Sequence, residues 1–85
     1  MLANDMNKGQ LGTTTDGIKF RIEDNKKGMI RFATVYGSTV GLFDEMGSIY
    51  IHELATVDLP DGRREPVEFS TKQQIQIGYM KAAGF

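Results

Sequence analysis

Residues 17–36 alternate in a pattern that a strand–turn–strand unit satisfies. Ile18, Phe20 and Ile22 alternate with Lys19, Arg21 and Glu23, the period of two of a strand with one buried and one wet face. The polar run Asp24, Asn25, Lys26, Lys27, Gly28 then reverses the chain, with Asn25 and Gly28 as the residues expected to take left-handed backbone. On the return, Ile30, Phe32 and Thr34 alternate with Met29, Arg31 and Ala33. Cross-strand contact among Ile18, Phe20, Ile22, Ile30 and Phe32 is therefore the expected first apolar layer. Two strands are marginal by themselves, so the rest of the chain has to cover that layer.

The flanks supply more strands. Threonines 13–15 between Gly12 and the turn dipeptide Asp16-Gly17 predict a short first strand feeding the hairpin. Upstream, Leu2 and Met6 are spaced to touch the core together. Val40 and Leu42 within 38–43 predict a fourth strand, and residues 44–47 a turn. Ile49 and Ile51 open a further strand whose apolar parity changes at Leu54, so a bulge or bend is expected near His52 and Glu53. Pro60, Asp61, Gly62 and Arg63 form another turn, followed by a short strand over 66–69 in which Pro66 suits only an edge or a strand start. Ser70 and Gln73 match a capping box, so a helix over 71–83 is preferred to the competing strand that the alternation of Ile75, Ile77 and Tyr79 also allows. Its expected packed face is Ile75, Tyr79, Ala82 and Ala83, which leaves Ile77 exposed as a partner contact. The expected fold is thus mainly β: one domain over 1–85, a small curled antiparallel sheet or barrel of five to six strands over 9–69, then a short C-terminal helix over 70–83.

At 85 residues with 40% hydrophobic side chains, there is room for one small core. Cysteine is absent, which removes disulfides, thiolate metal sites and cysteine nucleophiles and fits a reducing compartment. The first residues lack the charged and apolar regions of a secretion signal, and no apolar run approaches the ~20 residues of a membrane span. A cytoplasmic protein with no membrane association is expected. Ten basic against eleven acidic side chains give no global field for a polyanion. Weak net charge favours association with a partner or into a homo-oligomer.

Catalytic chemistry would have to be built around His52, the single histidine, without a second metal ligand at a familiar spacing. A structural, hydrogen-bonded histidine is the expectation, with no catalytic residue, no metal and no cofactor. Asp44 and Glu45 are expected in a solvated turn, available to a basic partner surface. Lys19, Arg21, Lys26, Lys27 and Arg31 form a basic set: the expected reading is an ordinary solvated face that Glu23 and Asp24 partly neutralise, and the alternative is one sheet face that contacts the phosphates of a nucleic acid or nucleotide. Tyr36, Phe43, Tyr50 and Tyr79 offer rings for stacking on bases.

Taken together, Lys8-Gly9, Asp16-Gly17, residues 22–28, residues 31–35 and residues 46–52 resemble a group of small bacteriophage proteins. In that group a KOW-like or Src-homology-type small barrel precedes a short C-terminal helix. The resemblance covers residues 4–75 and rests on turn glycines and strand residues, so it implies phage origin and architecture and carries over no catalytic residue. The expected function is that of a non-enzymatic phage accessory protein in the host cytoplasm. It would bind and block a bacterial host protein or complex, such as a defence system, through Arg21, Arg31, Asp44, Glu45 and Tyr50. The alternatives are a small barrel binding nucleic acid or nucleotide through the basic set, and a minor virion component.

Overall fold

The structure is a computed structural model that describes residues 1–37 and 44–84. Six antiparallel strands form one sheet: β1 (Leu11–Thr14), β2 (Lys19–Asp24), β3 (Ile30–Tyr36), β4 (Glu45–Tyr50), β5 (Leu54–Asp58) and β6 (Arg64–Pro66), followed by the helix α1 (Thr71–Ala82). The spatial order is β4-β3-β2-β1-β5-β6, so β4 and β6 lie at opposite borders. The sheet is open, and the barrel alternative is not what the chain adopts. The strand expected over 38–43 lies outside the described residues. Glu45, Met46 and Gly47, expected in a turn, belong to β4, and the last strand begins two residues earlier than expected, at Arg64.

The punctuation follows the sequence closely in three places. Gly17 takes φ +82° and its N–H bonds Thr14 O, closing the β1–β2 turn. The parity break becomes a 3-10 turn over Ile51–Glu53 between β4 and β5, which re-aims the chain so that both Ile51 and Leu54 are buried. Pro66 sits at the end of a border strand, where its missing N–H costs nothing.

The β2–β3 loop departs from expectation. Lys27, and not Asn25 or Gly28, takes the left-handed backbone (φ 62°). Asn25 instead staples the N-terminal segment. Its amide donates to the carbonyls of Asn4 (3.1 Å), Ala3 and Met6, while its Oδ1 accepts from Lys27 N–H. That anchor places Met6 in the core and leaves Leu2 on the surface.

The β2–β3 register decides which side chains are inside. Ile22 pairs with Ala33 and Asp24 with Phe32, so Glu23 is an extra residue in β2, a β-bulge. With Ile22 opposite Ala33, the core-facing members of β3 are Arg31, Ala33 and Val35, and Ile30 and Phe32 turn outward. Phe20 and Ile22 are buried as expected, Ile18 only partly, and Ile30 and Phe32 are exposed. The core consists of Ala3, Met6, Phe20, Ile22, Ala33, Ile51, Leu54, Val57, Val67 and Ile77, each of the larger side chains contributing about 1.5–3 kcal/mol.

The helix is capped as its sequence indicates: Ser70 Oγ accepts from Gln73 N–H (3.2 Å) and Gln73 Oε1 from Ser70 N–H (3.0 Å). Its packed face is the reverse of the expected one. Ile77 is 7% exposed, whereas Ile75 and Tyr79 are 57% and 70% exposed. The cause is Gln73, whose buried amide bonds Asn4 Oδ1 (2.9 Å) and Gly28 O (3.2 Å). Ile77, one turn further along, follows it inward.

Candidate functional site

The sheet's outward face is set by the same register. Across β2, β3 and β4, Arg21 stands opposite Thr34, Thr34 opposite Met46, Phe32 opposite Ser48, and Ile30 opposite Tyr50. Ile30, Phe32 and Met46 are exposed, Met46 at 62%, so neighbouring strands present a contiguous apolar strip. Tyr50 borders it, half-buried, its ring stacked on His52 with centroids 5.5 Å apart and planes at 20°. A half-open cavity of about 280 Å³ is distinct from this strip and lies elsewhere, between the β2–β3 loop and α1.

Beside the strip, polar groups hold one another in place. Arg21 Nε donates to Glu23 Oε1 at 2.8 Å, and Thr34 Oγ1 donates to the same oxygen at 2.8 Å. The guanidinium also lies over the Tyr36 ring, 5.8 Å from its centroid. The Arg21 and Thr34 hydrogen bonds hold the Glu23 carboxyl below the usual carboxylate range, and Glu23 in turn raises Arg21 above the usual guanidinium value. Glu23 shares the face of Arg21 by the strand's period of two, and Thr34 joins them because it pairs with Arg21.

The residues expected to form a partner surface are thus only partly together. Arg21 and Tyr50 share the outward face. Asp44 is exposed and accepts from Gly37 N–H at 3.2 Å. Glu45 opens β4 opposite Val35, on the core-facing side of the sheet, yet is exposed at the strand's start. Arg31 corrects both of the sets that included it. Its side chain is 0% exposed and points away from Lys19 and Arg21, because Arg31 shares the face of Ala33. Its Nη1 donates to the carbonyls of Gly28 (2.8 Å) and Ile30 (3.1 Å), and its Nη2 to Asn4 Oδ1 (3.1 Å). Burial lowers its pKa from the usual guanidinium value.

The basic set is divided in the same way. Lys19 is 3.7 Å from Asp58, Arg21 pairs with Glu23, and Lys26 is 3.9 Å from Asp24. Lys27, lifted by its left-handed backbone, lies with the β2–β3 loop and not on the sheet face. A cavity of about 660 Å³ beside Lys19 and Arg21 is also lined by Leu11, Tyr36 and Asp58, so it mixes both signs of charge with apolar surface. Phe43 lies outside the described residues, and Tyr79 projects from α1, apart from the sheet.

No protein-family model, curated protein or solved structure matches the chain. The site is therefore read from its own residues. His52 is half-buried, and its Nδ1 has no hydrogen-bond partner among the described residues. It is held by ring stacking, and the expected hydrogen-bonded role is not what the geometry gives it. No three His, Asp or Glu side chains gather as metal ligands among the described residues. No described helix is long and apolar enough to cross a membrane.

Sequence reasoning missed the polar cluster of Asn4, Arg31, Gln73 and Gly28 O. Its members are 69 positions apart at the extremes, and nothing in their local spacing joins them. The one local signal was Gln73, which the capping box had already assigned to the helix start.

Proposed function

We propose that the protein is a non-enzymatic binding module that docks a protein partner on the outward face of β2, β3 and β4. The observation that carries this reading is the exposed strip of Ile30, Phe32 and Met46 on adjacent strands, bordered by Tyr50 and by the Arg21–Glu23–Tyr36 cluster. An apolar centre with aromatic and arginine side chains at its margin has the composition of a binding hot spot, and such a surface is otherwise an association liability. The likeness of its turns and strands to small phage proteins supports a bacterial host component as the partner, bound and blocked by occupancy. A nucleic-acid role through the basic set gains less support, since Lys19, Arg21 and Lys26 each have a carboxylate beside them and Arg31 is buried.

The test compares the native protein with an Ile30→Ser/Phe32→Ser/Met46→Ser variant as immobilised baits for bacterial lysate, and identifies the proteins retained. The reading expects a discrete host protein held by the native chain and lost with the variant, while an Arg63→Ala control retains it. Equal retention by both baits, or no retained protein at all, would sink it.

A further inference from the structure

The β2–β3 loop and the start of α1 border a half-open cavity of about 280 Å³ lined by Asn4, Lys27, Gly28, Ser70, Lys72 and Gln73 among others, with no acidic side chain in its wall. We infer that this cavity is a binding site for a small phosphoryl anion, either free phosphate or a phosphomonoester. The argument begins with charge. Of the ten basic side chains, Lys19, Arg21, Lys26, Arg63 and Arg64 hold ion pairs among the described residues. Two of the other five, Lys27 and Lys72, line this one cavity, and a third, Arg31, lies behind its wall, bonded to Gly28 and Asn4.

Arg31 is the independent observation. Its guanidinium is fully buried behind the cavity wall, with Nη1 on Gly28 O and Nη2 on Asn4 Oδ1, both groups of wall residues. Among the described residues its Nε has no hydrogen-bond partner, and the ion pairs found there do not include it. A desolvated cation satisfied by neutral acceptors alone lacks the counter-charge that buried ions normally require. An anion in the adjoining cavity supplies it. Gln73 bridges the two, because its amide bonds the same Asn4 Oδ1 and Gly28 O that Arg31 uses.

The helix start adds donors. Ser70 takes the Gln73 N–H and the Ser70 carbonyl takes that of Gln74, which leaves the N–H groups of Thr71 and Lys72 ahead of the first helical bond. These N–H groups and the positive end of the 12-residue helix favour an anion. Two exposed ammonium groups with a buried third cation match a doubly charged oxyanion better than a single carboxylate. The volume is below the usual range for drug-sized ligands, about 300–1,000 Å³, so a phosphoryl group with at most a small appended moiety fits.

The test is an amide-resolved NMR titration of the full chain at low salt with sodium phosphate, glycerol phosphate and sodium acetate at matched ionic strength. Saturable shifts are expected at Gly28, Thr71, Lys72 and Gln73 with both phosphoryl probes, with acetate weaker by about tenfold. A Lys27→Ala/Lys72→Ala variant changes only exposed side chains and keeps its fold by circular dichroism. It should weaken phosphate by about tenfold or more, whereas Lys19→Ala/Arg63→Ala should not. Binding by glycerol phosphate alone would assign the ligand as an ester, and binding by both would assign the phosphoryl group itself. Absence of saturable shifts at those amides, an undiminished response in Lys27→Ala/Lys72→Ala, or acetate equal to phosphate overturns the inference.

Discussion

Arg31 carries a formal charge into the packed side of the sheet, and its surroundings show how that is tolerated. Three carbonyl-type oxygens, Gly28 O, Ile30 O and Asn4 Oδ1, accept from its terminal nitrogens. Replacing it with Ala removes those bonds and leaves a void, so Arg31→Ala should lower the unfolding free energy by about 3 kcal/mol, read from urea denaturation. Arg31→Lys should recover little of it, because one ammonium cannot reproduce a planar fork spanning Gly28 and Asn4. The sequence does not reveal this role, since β3 offers apolar residues at both parities. Ala33 and Val35 compete with Ile30 and Phe32, and a charged residue at one parity ordinarily marks that parity as the wet one. Gly12 is a second such position: a Cβ there would lie 2.4 Å from the Phe20 ring and 2.2 Å from Thr56 O. Gly12→Ala should therefore cost about 1–3 kcal/mol through overpacking, seen as a lower urea midpoint with an unchanged slope. Glu23 gives a pH dependence. Its folded pKa is depressed, chiefly by the Arg21 hydrogen bond and then by that of Thr34. The stability it contributes is present above the unfolded value of about 4.3 and is lost as pH falls through the lower folded value. The urea midpoint of the native chain should thus fall more steeply than that of Glu23→Gln below about pH 4, and parallel curves would contradict the assignment.

At the scale of elements, the helix divides what could be read from what could not. Its start was legible because a capping box is local: Ser70 and Gln73 satisfy each other across three residues. Its inward face was not, because Ile75, Ile77 and Tyr79 are apolar on two sides and the choice is made by Gln73, a polar residue anchored to Asn4 and Gly28. Side-chain truncation separates the two faces. Ile77→Ala should destabilise by about 2–4 kcal/mol, whereas Ile75→Ala and Tyr79→Ala should stay within about 0.5 kcal/mol of the native chain by chemical denaturation. The β2–β3 hairpin behaves similarly. Its existence followed from the alternation of Ile18, Phe20 and Ile22, but its register depended on one bulged residue, Glu23, whose effect is to exchange the inner and outer sets of β3. The same bulge that buries Arg31 is what places Ile30 and Phe32 on the surface proposed for docking.

For the molecule as a whole, a sheet of five to six antiparallel strands was legible, whereas the neighbouring of β1 and β5 and the question of closure were not. Turn dipeptides and parity breaks count strands, but whether the first and last strands meet depends on accumulated twist and on what lies along each border. Here the chain covers one border itself. Residues 1–3 run beside the continuation of β6: Ala3 N–H bonds Glu68 O, Glu68 N–H bonds Met1 O, and Leu2 bridges Glu68 in parallel. Among the described residues β4, at the other border, pairs with β3 alone. A sheet with one occupied margin and one available margin has a direction of growth. If two copies join through β4, the margins available among the described residues are consumed in that single event, and residues 1–3 lie along each outer end of the joined sheet beside Pro66 and Glu68. Such an assembly terminates as a pair, and the arrangement that permits strand addition also withholds the repeating contact that a fibre requires.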